Sequence, residues 1–134
     1  MTGDLKPKVM IMDENSGIRQ FYAVELAESG YEVVTVGDAA VFKEAISNSK
    51  PDLVLIDPWI GGQYRWDMVS DIKRGDSLTP VLLCLAFDAP FPRDLVAAEG
   101  FVLKSMFTDD LLAMVKQIAG TTKACGCTWM KSRQ

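Results

Sequence analysis

Four residues carry most of the chemistry this chain offers, and each follows a short apolar run. Asp13 and Glu14 come after KVMIM (Lys8–Met12), Asp57 after DLVLI (Asp52–Ile56), and Lys104 after Phe101–Leu103. If these runs are strands of one sheet, three acids and one base gather at a single edge. Clustered carboxylates repel unless a cation neutralises them or one keeps its proton. A hard divalent ion such as Mg²⁺ prefers oxygen ligands and retains several waters, so two or three carboxylates at an open site suit it. Lys104 supplies a second positive charge. Each residue also has a plainer reading. The Asp-Glu pair is a polar loop or helix N-terminus, Asp57-Pro58 is turn chemistry, and Lys104 is a solvated lysine. The signal is the constellation rather than any one member.

A run of alternating strands and helices positions these residues. Lys8–Met12, Tyr31–Val36, Asp52–Ile56, Pro80–Ala86 and Phe101–Leu103 read as strands. The continuous apolar character of the third suits a sheet covered on both faces. Gly17–Ser29 carries Ile18, Phe21, Tyr22 and Leu26 on one helical stripe, with Gly30 where a C-terminal cap belongs. Asp38 is placed to cap a helix through Asn48 that buries Phe42, Ala45 and Ile46. Asp67–Arg74 is a helix that Gly75 can end, and Pro92–Glu99 is another ending at Gly100. Thr108 caps a last helix with Asp109 and Asp110 in its first turn and Leu111, Val115 and Ile118 on its apolar stripe. Between Asp57 and Asp67 lies a Gly-containing loop with Trp59, Tyr64 and Trp66. These rings either cover the edge of the core or form a docking patch. Such alternation predicts right-handed βαβ units and a parallel sheet, an α/β fold. Sites in these sheets lie outside the carboxyl ends of the strands.

The bulk composition narrows the function. With 134 residues, the chain suits one domain at 8–119, an extension at 1–7 and a tail at 120–134 too short to fold as another. Apolar types at 49% and charged types at 24% suit a globular protein with a proper core. Fourteen basic residues against eighteen acidic, a net charge of −4, disfavour a nucleic-acid-binding surface. Pro51, Pro58 and Pro80 interrupt the apolar runs before any can span a bilayer. Met1–Lys8 lacks the apolar core of a signal peptide, so a cytoplasmic address is expected. The chain has no histidine, which excludes a His phosphocarrier, a Ser-His-Asp hydrolase and a His-ligated metalloenzyme. Cys84 reads as an inert core thiol, and Cys125 and Cys127 form a C-x-C with nothing beside it to complete a zinc site. DENSGIR, after the first strand, lacks the Gly-rich fingerprint of a dinucleotide site.

MDEN with Asp13 and Glu14, LVLID ending in Asp57, a strand introduced by Pro80, and FVLK ending in Lys104 resemble the receiver domains of two-component response regulators, over residues 8–119. The resemblance implies a flavodoxin-like, doubly wound five-stranded sheet in the order 2-1-3-4-5 with five helices. It implies that Asp57 is the phosphoacceptor, and that Asp13, Glu14 and Asp57 hold Mg²⁺ with the backbone carbonyl of Trp59. Lys104 then offsets charge on the phosphoryl oxygens. Such transfer is largely positioning and charge neutralisation around a carboxylate nucleophile. The donor is a phosphohistidine on a sensor histidine kinase or phosphotransfer protein. The output passes to a downstream protein, and a homodimer through the last helices is compatible with the family. No nucleic-acid or membrane partner is expected.

The pattern also breaks in places. Leu85 stands where the family carries a Ser or Thr hydroxyl, and Cys84 beside it should point away because side chains alternate along a strand. Phe101 occupies the aromatic switch position, again without a hydroxyl. Ser105 replaces the proline that commonly follows the lysine, so a trans Lys104–Ser105 peptide or a rearranged loop is expected. The segment between Ala86 and Phe101 is short for the family. Three functions stay open: a phosphoacceptor signalling domain rather than a turnover enzyme, a pseudo-receiver binding module that does not switch on phosphorylation, and a metal-dependent phosphatase. Against the last stand the absence of a further general base and of an obvious substrate pocket.

Overall fold

The apolar runs assemble into one five-stranded parallel sheet in the computed structural model, which describes residues 6–75, 79–86, 98–105 and 107–120. Strands β1 (Lys8–Met12), β2 (Glu32–Val36) and β3 (Leu53–Ile56) come first. Two short strands, β4 (Trp59–Ile60) and β5 (Gln63–Tyr64), pair antiparallel outside the sheet. β6 (Val81–Leu85) and β7 (Gly100–Leu103) complete it in the order β2-β1-β3-β6-β7. Counting sheet strands alone, this is the expected 2-1-3-4-5 order. Central strands β3 and β6 are buried at every position, as strands covered on both faces must be.

The helices are α1 (Ser16–Glu28), α2 (Phe42–Ser49), α3 (Trp66–Gly75) and α4 (Asp109–Val115), the last widening into a π-type turn over Lys116–Gly120. Four α-helices thus stand among the described residues where five were expected. The remaining one, expected over Pro92–Glu99, falls mainly outside the described residues, and Gly100 opens β7 instead of closing a helix. No described helix is long and apolar enough to cross a membrane.

Side-chain alternation along the strands sorts the core into two layers. Val9, Ile11, Leu53, Leu55, Leu82, Cys84 and Val102 pack with Tyr22 and Leu26 of α1 and with Leu111 and Val115 of α4. Met10, Met12, Val54, Ile56, Val81, Leu83 and Leu85 face the other way, onto Phe42 of α2 and Met68, Val69 and Ile72 of α3. Asp38 caps a 3-10 turn, Ala39–Val41, that leads into α2, rather than capping α2 itself. Thr108 precedes α4 as expected, but its hydroxyl donates to Glu25 Oε1 at 3.0 Å instead of capping the helix. On α1 the stripe is narrower than its sequence suggests, since Phe21 is 38% exposed while Tyr22 and Leu26 are buried.

The β4–β5 hairpin replaces the expected loop. Its turn is Gly61-Gly62, both at positive φ (62° and 83°), the conformation of a two-residue hairpin turn that glycine adopts without penalty.

Candidate functional site

The same alternation decides which residues meet at the carboxyl edge. Asp13 continues the phase of Val9 and Ile11, Asp57 that of Leu53 and Leu55, and Lys104 that of Val102. All three therefore leave the sheet on the α1/α4 side. Register brings them level, because Met12 pairs with Ile56 and Ile56 with Leu83, which aligns Asp13, Asp57 and Cys84 along the edge. The turn after each strand is tied down by the backbone. Asp13 N–H donates to the Val36 carbonyl, Asp57 N–H to that of Met12, and Lys104 N–H to that of Leu85.

The long side chain of Lys104 reaches back across β6, and its ammonium joins both acids. Nζ lies 2.9 Å from Asp13 Oδ2 and also contacts Asp57 Oδ2. The carboxylates are buried, at 4% exposure for Asp13 and 6% for Asp57. Burial alone would depress the lysine pKa, but the hydrogen bonds and charges of Asp57 and Asp13 outweigh it and hold the group above its ordinary value. The remaining oxygens are also engaged, with Asn15 N–H donating to Asp13 Oδ1 at 2.9 Å and Trp59 N–H to Asp57 Oδ1 at 3.0 Å. Arg19, which sequence reasoning passed over, braces the turn from below by donating from Nη1 to the Asp13 carbonyl at 2.7 Å.

Glu14 does not join this group. Being one residue beyond Asp13, it is exposed, and its Oε2 accepts from Gly61 N–H at 2.9 Å. No cluster of three acidic, cysteine or histidine side chains close enough to hold a metal occurs among the described residues. The arrangement still fits a hard divalent ion. Asp13 and Asp57 already share one cation, and the Trp59 carbonyl is spared by the hairpin ladder. Arg65 N–H donates to the Pro58 carbonyl, which makes Trp59 and Tyr64 a non-hydrogen-bonded pair. Two carboxylates and a carbonyl, with Glu14 a side-chain swing away, are oxygen donors of the kind Mg²⁺ takes.

Cys84, expected to point away from the acids, stands on their side of the sheet. Its thiol lies 3.8 Å from the Tyr22 hydroxyl, to which it donates. Burial pushes the Cys84 pKa up to about 12, against the pull of Tyr22 and Lys104 and with a further push from Asp57 and Asp13. Tyr22 is likewise raised, chiefly by burial and Cys84, with the Ser105 backbone and Lys104 acting the other way. A tyrosine on a buried stripe needs a partner for its hydroxyl, a signal in the sequence from which this contact could have been sought. Leu85 is 2% exposed among Met12 and Ile56, on the α2/α3 side, while Phe101 is 42% exposed on the edge strand. Among the described residues every peptide is trans, Lys104–Ser105 included.

Because only the thiolate reacts, a buried thiol neutral at pH 7 should resist modification. Native protein carrying Cys125→Ser and Cys127→Ser is expected to react with a thiol reagent at least about a hundredfold more slowly than the same protein in denaturant. Equal rates would place Cys84 at the surface.

The aromatic residues neither all bury nor all protrude. Trp59 is 44% exposed, and its ring meets Tyr64 edge-on at 4.8 Å, while Tyr64 stacks on Trp66 at 5.4 Å. A groove of about 1160 Å³ runs between α2 and α3, lined by residues such as Phe42, Ile46, Met68 and Ile72. Asp13, Asp57 and Lys104 take no part in it, so it is no substrate pocket for the acids.

Comparison with known proteins agrees with this fold. The response regulator receiver domain family matches residues 9–116. The alkaline phosphatase synthesis transcriptional regulatory protein PhoP of Bacillus subtilis is 23% identical over 117 residues, covering 85% of this chain and 49% of PhoP. The CAI-1 autoinducer sensor kinase/phosphatase CqsS of Vibrio cholerae is 28% identical over 114 residues, covering 81% of this chain and 17% of CqsS. The chain therefore spans half or less of these relatives. The response regulator TrrA of Thermotoga maritima, solved in complex with Mg²⁺-BeF, shares the fold with a TM-score of 0.77 at 24% identity, covering 84% of this chain and 98% of TrrA. TrrA in complex with histidine kinase ThkA gives 0.73 at 23% identity over 84% and 97% of the two chains. With the acids and the lysine at the carboxyl edge of a 2-1-3-4-5 sheet, and the family matched across residues 9–116, the chain belongs to the receiver domains of two-component response regulators.

Proposed function

We propose that this domain accepts a phosphoryl group on Asp57 from a phosphohistidine of a sensor histidine kinase or phosphotransfer protein. The observation that carries the reading is the ammonium of Lys104 shared by two buried carboxylates, Asp13 and Asp57, at the strand ends. That TrrA has been solved with Mg²⁺-BeF and with a histidine kinase supports a divalent ion and a kinase partner here.

Asp13, Glu14, Asp57 and the Trp59 carbonyl would hold Mg²⁺. When bound, the ion offsets negative charge on the acids and on the incoming phosphoryl group. The protein's own groups do the positioning. Trp59 N–H on Oδ1 and Lys104 on Oδ2 fix the orientation of the Asp57 carboxylate. A phosphorus–oxygen bond forms to that carboxylate as the phosphorus–nitrogen bond of the donor breaks, its electron pair leaving on the imidazole. The Lys104 ammonium, already held in place by Asp13, then faces the phosphoryl oxygens as a preorganised charge. Residues 8–119 form the functional unit, and the signal leaves by contact with a downstream protein.

Incubation with acetyl phosphate and Mg²⁺, followed by intact mass spectrometry, is expected to show one added phosphoryl group, and none when EDTA removes the ion. A chain that stays unlabelled with Mg²⁺ present would sink the assignment.

A further inference from the structure

The β4–β5 hairpin hangs on the acidic site at two points. At its base, Trp59 N–H donates to Asp57 Oδ1 at 3.0 Å. At its tip, Gly61 N–H donates to Glu14 Oε2 at 2.9 Å, a bond between residues 47 apart in the chain. Both acceptors are acids assigned above to the metal. Space around the turn is open, since a Cβ built on Gly61 or Gly62 would meet nothing within 4 Å. The tip can therefore shift without a clash. Trp59 and Tyr64, and Trp66 stacked on Tyr64 just beyond β5, ride on the same short segment.

We propose that Glu14 is a tether through which the hairpin and its aromatic surface report whether the acidic site is occupied. The inference rests on the reading that the site binds Mg²⁺. Glu14 stands apart from Asp13 and Asp57, so to join a cation between them it must swing inward. Gly61 either follows the carboxylate or loses its acceptor. In the first case the turn moves relative to the sheet and in the second it is released to move, and either way the partly exposed rings of Trp59, Tyr64 and Trp66 present a changed surface. The signal thus leaves the site through the segment after Asp57, needing no hydroxyl at Leu85 or Phe101.

The test is an amide NMR titration of the full-length chain with Mg²⁺ alone, beside calorimetry of the same samples. The Gly61 and Gly62 amides and the Trp66 indole N–H are expected to shift with the dissociation constant that calorimetry gives. In Glu14→Asp the carboxylate is one methylene shorter and falls short of Gly61. That variant is expected to bind Mg²⁺ about 10–100-fold more weakly. At saturating Mg²⁺ its Gly61 and Gly62 amides lose most of their response, while the Trp66 indole, which Mg²⁺ on the Trp59 carbonyl also reaches, keeps part of its own. Glu14→Gln is expected to move the metal-free Gly61 amide upfield, because a charged acceptor is lost. Mg²⁺ heat in the wild type with all three resonances unmoved overturns the tether but leaves the proposed function standing. An undiminished response in Glu14→Asp, or a Gly61 amide unmoved in Glu14→Gln, overturns it too. Loss of Mg²⁺ heat in Glu14→Asp does so as well, since ligation and tethering would then be inseparable. Absence of Mg²⁺ heat in the wild type removes the proposed function and the tether together.

Discussion

Lys104→Met is expected to cost about 3–5 kcal/mol of folding stability at neutral pH, the usual range when one partner of a buried ion pair is deleted. Methionine is similar in length and fills the same path across β6, so packing changes little. What is lost is the single cation that Asp13 and Asp57 share, with side chains only 5% and 8% exposed. Two buried carboxylates then face each other without a counter-charge. The pH profile should change accordingly. In the wild type the native pKa of Lys104 lies above its ordinary value, because the bonds to Asp57 and Asp13 outweigh the cost of burial. A raised native pKa means that the lysine's contribution is present at every pH below the ordinary lysine range, and is lost as pH rises through the native value. The variant should lack that alkaline loss. It should also gain more from added Mg²⁺ than the wild type does, because binding to the native state alone stabilises it by mass action. Denaturant midpoints across the pH range, with and without the ion, decide this. A variant within about 1 kcal/mol of wild type at neutral pH, with the alkaline loss retained, would mean that the acids do not depend on this lysine.

The parts of this site that the sequence made legible are those governed by period-two alternation. KVMIM, DLVLI and FVL have the pattern of strands in a parallel sheet, so the residues following them had to reach one edge. Asp13, Asp57 and Lys104 meet there for that reason. The parts that stayed hidden depend on which face a phase selects and on turn chemistry. Alternation correctly separated Cys84 from Leu85, but without Asp57 as a reference for register it turned Cys84 away from the acids, on whose side of the sheet it stands. WIGGQY carried the signal of a two-residue hairpin, two glycines between aromatic and apolar residues, which a reading as a plain loop passed over. Glu14 is paired with Asp13 in sequence but separated from it in space, because adjacent residues diverge at a strand end and the hairpin supplied a competing donor. The bracing role of Arg19 on the Asp13 carbonyl has no counterpart in periodicity, since it is a contact between a helix side chain and a turn.

Asp57→Asn is expected to abolish phosphoryl incorporation from acetyl phosphate while leaving the fold intact. The substitution conserves shape, and the single amide oxygen can accept from Trp59 N–H or from Lys104 but not from both, as Oδ1 and Oδ2 do now, so one hydrogen bond is lost. Lys104 keeps Asp13 at 2.9 Å, so no buried charge is orphaned. Stability should therefore move by no more than about 1.5 kcal/mol, the scale of a single hydrogen bond. Chemistry changes far more, because a neutral amide offers phosphorus no anionic oxygen, and the nucleophile is gone rather than weakened. Asp13→Asn provides the contrast. It leaves Asp57 its carboxylate and its contact with Lys104, and removes one of the groups assigned to the ion. Incorporation should then persist at a reduced rate and demand about 10–100-fold more Mg²⁺, the range seen when ligand shells are altered. The two variants separate nucleophile from metal holder by different signatures, a total loss insensitive to Mg²⁺ and a partial loss that Mg²⁺ relieves. Phosphoryl incorporation that survives in Asp57→Asn would move the acceptor to another side chain, and the carboxylates at the strand ends would then serve only to bind the cation.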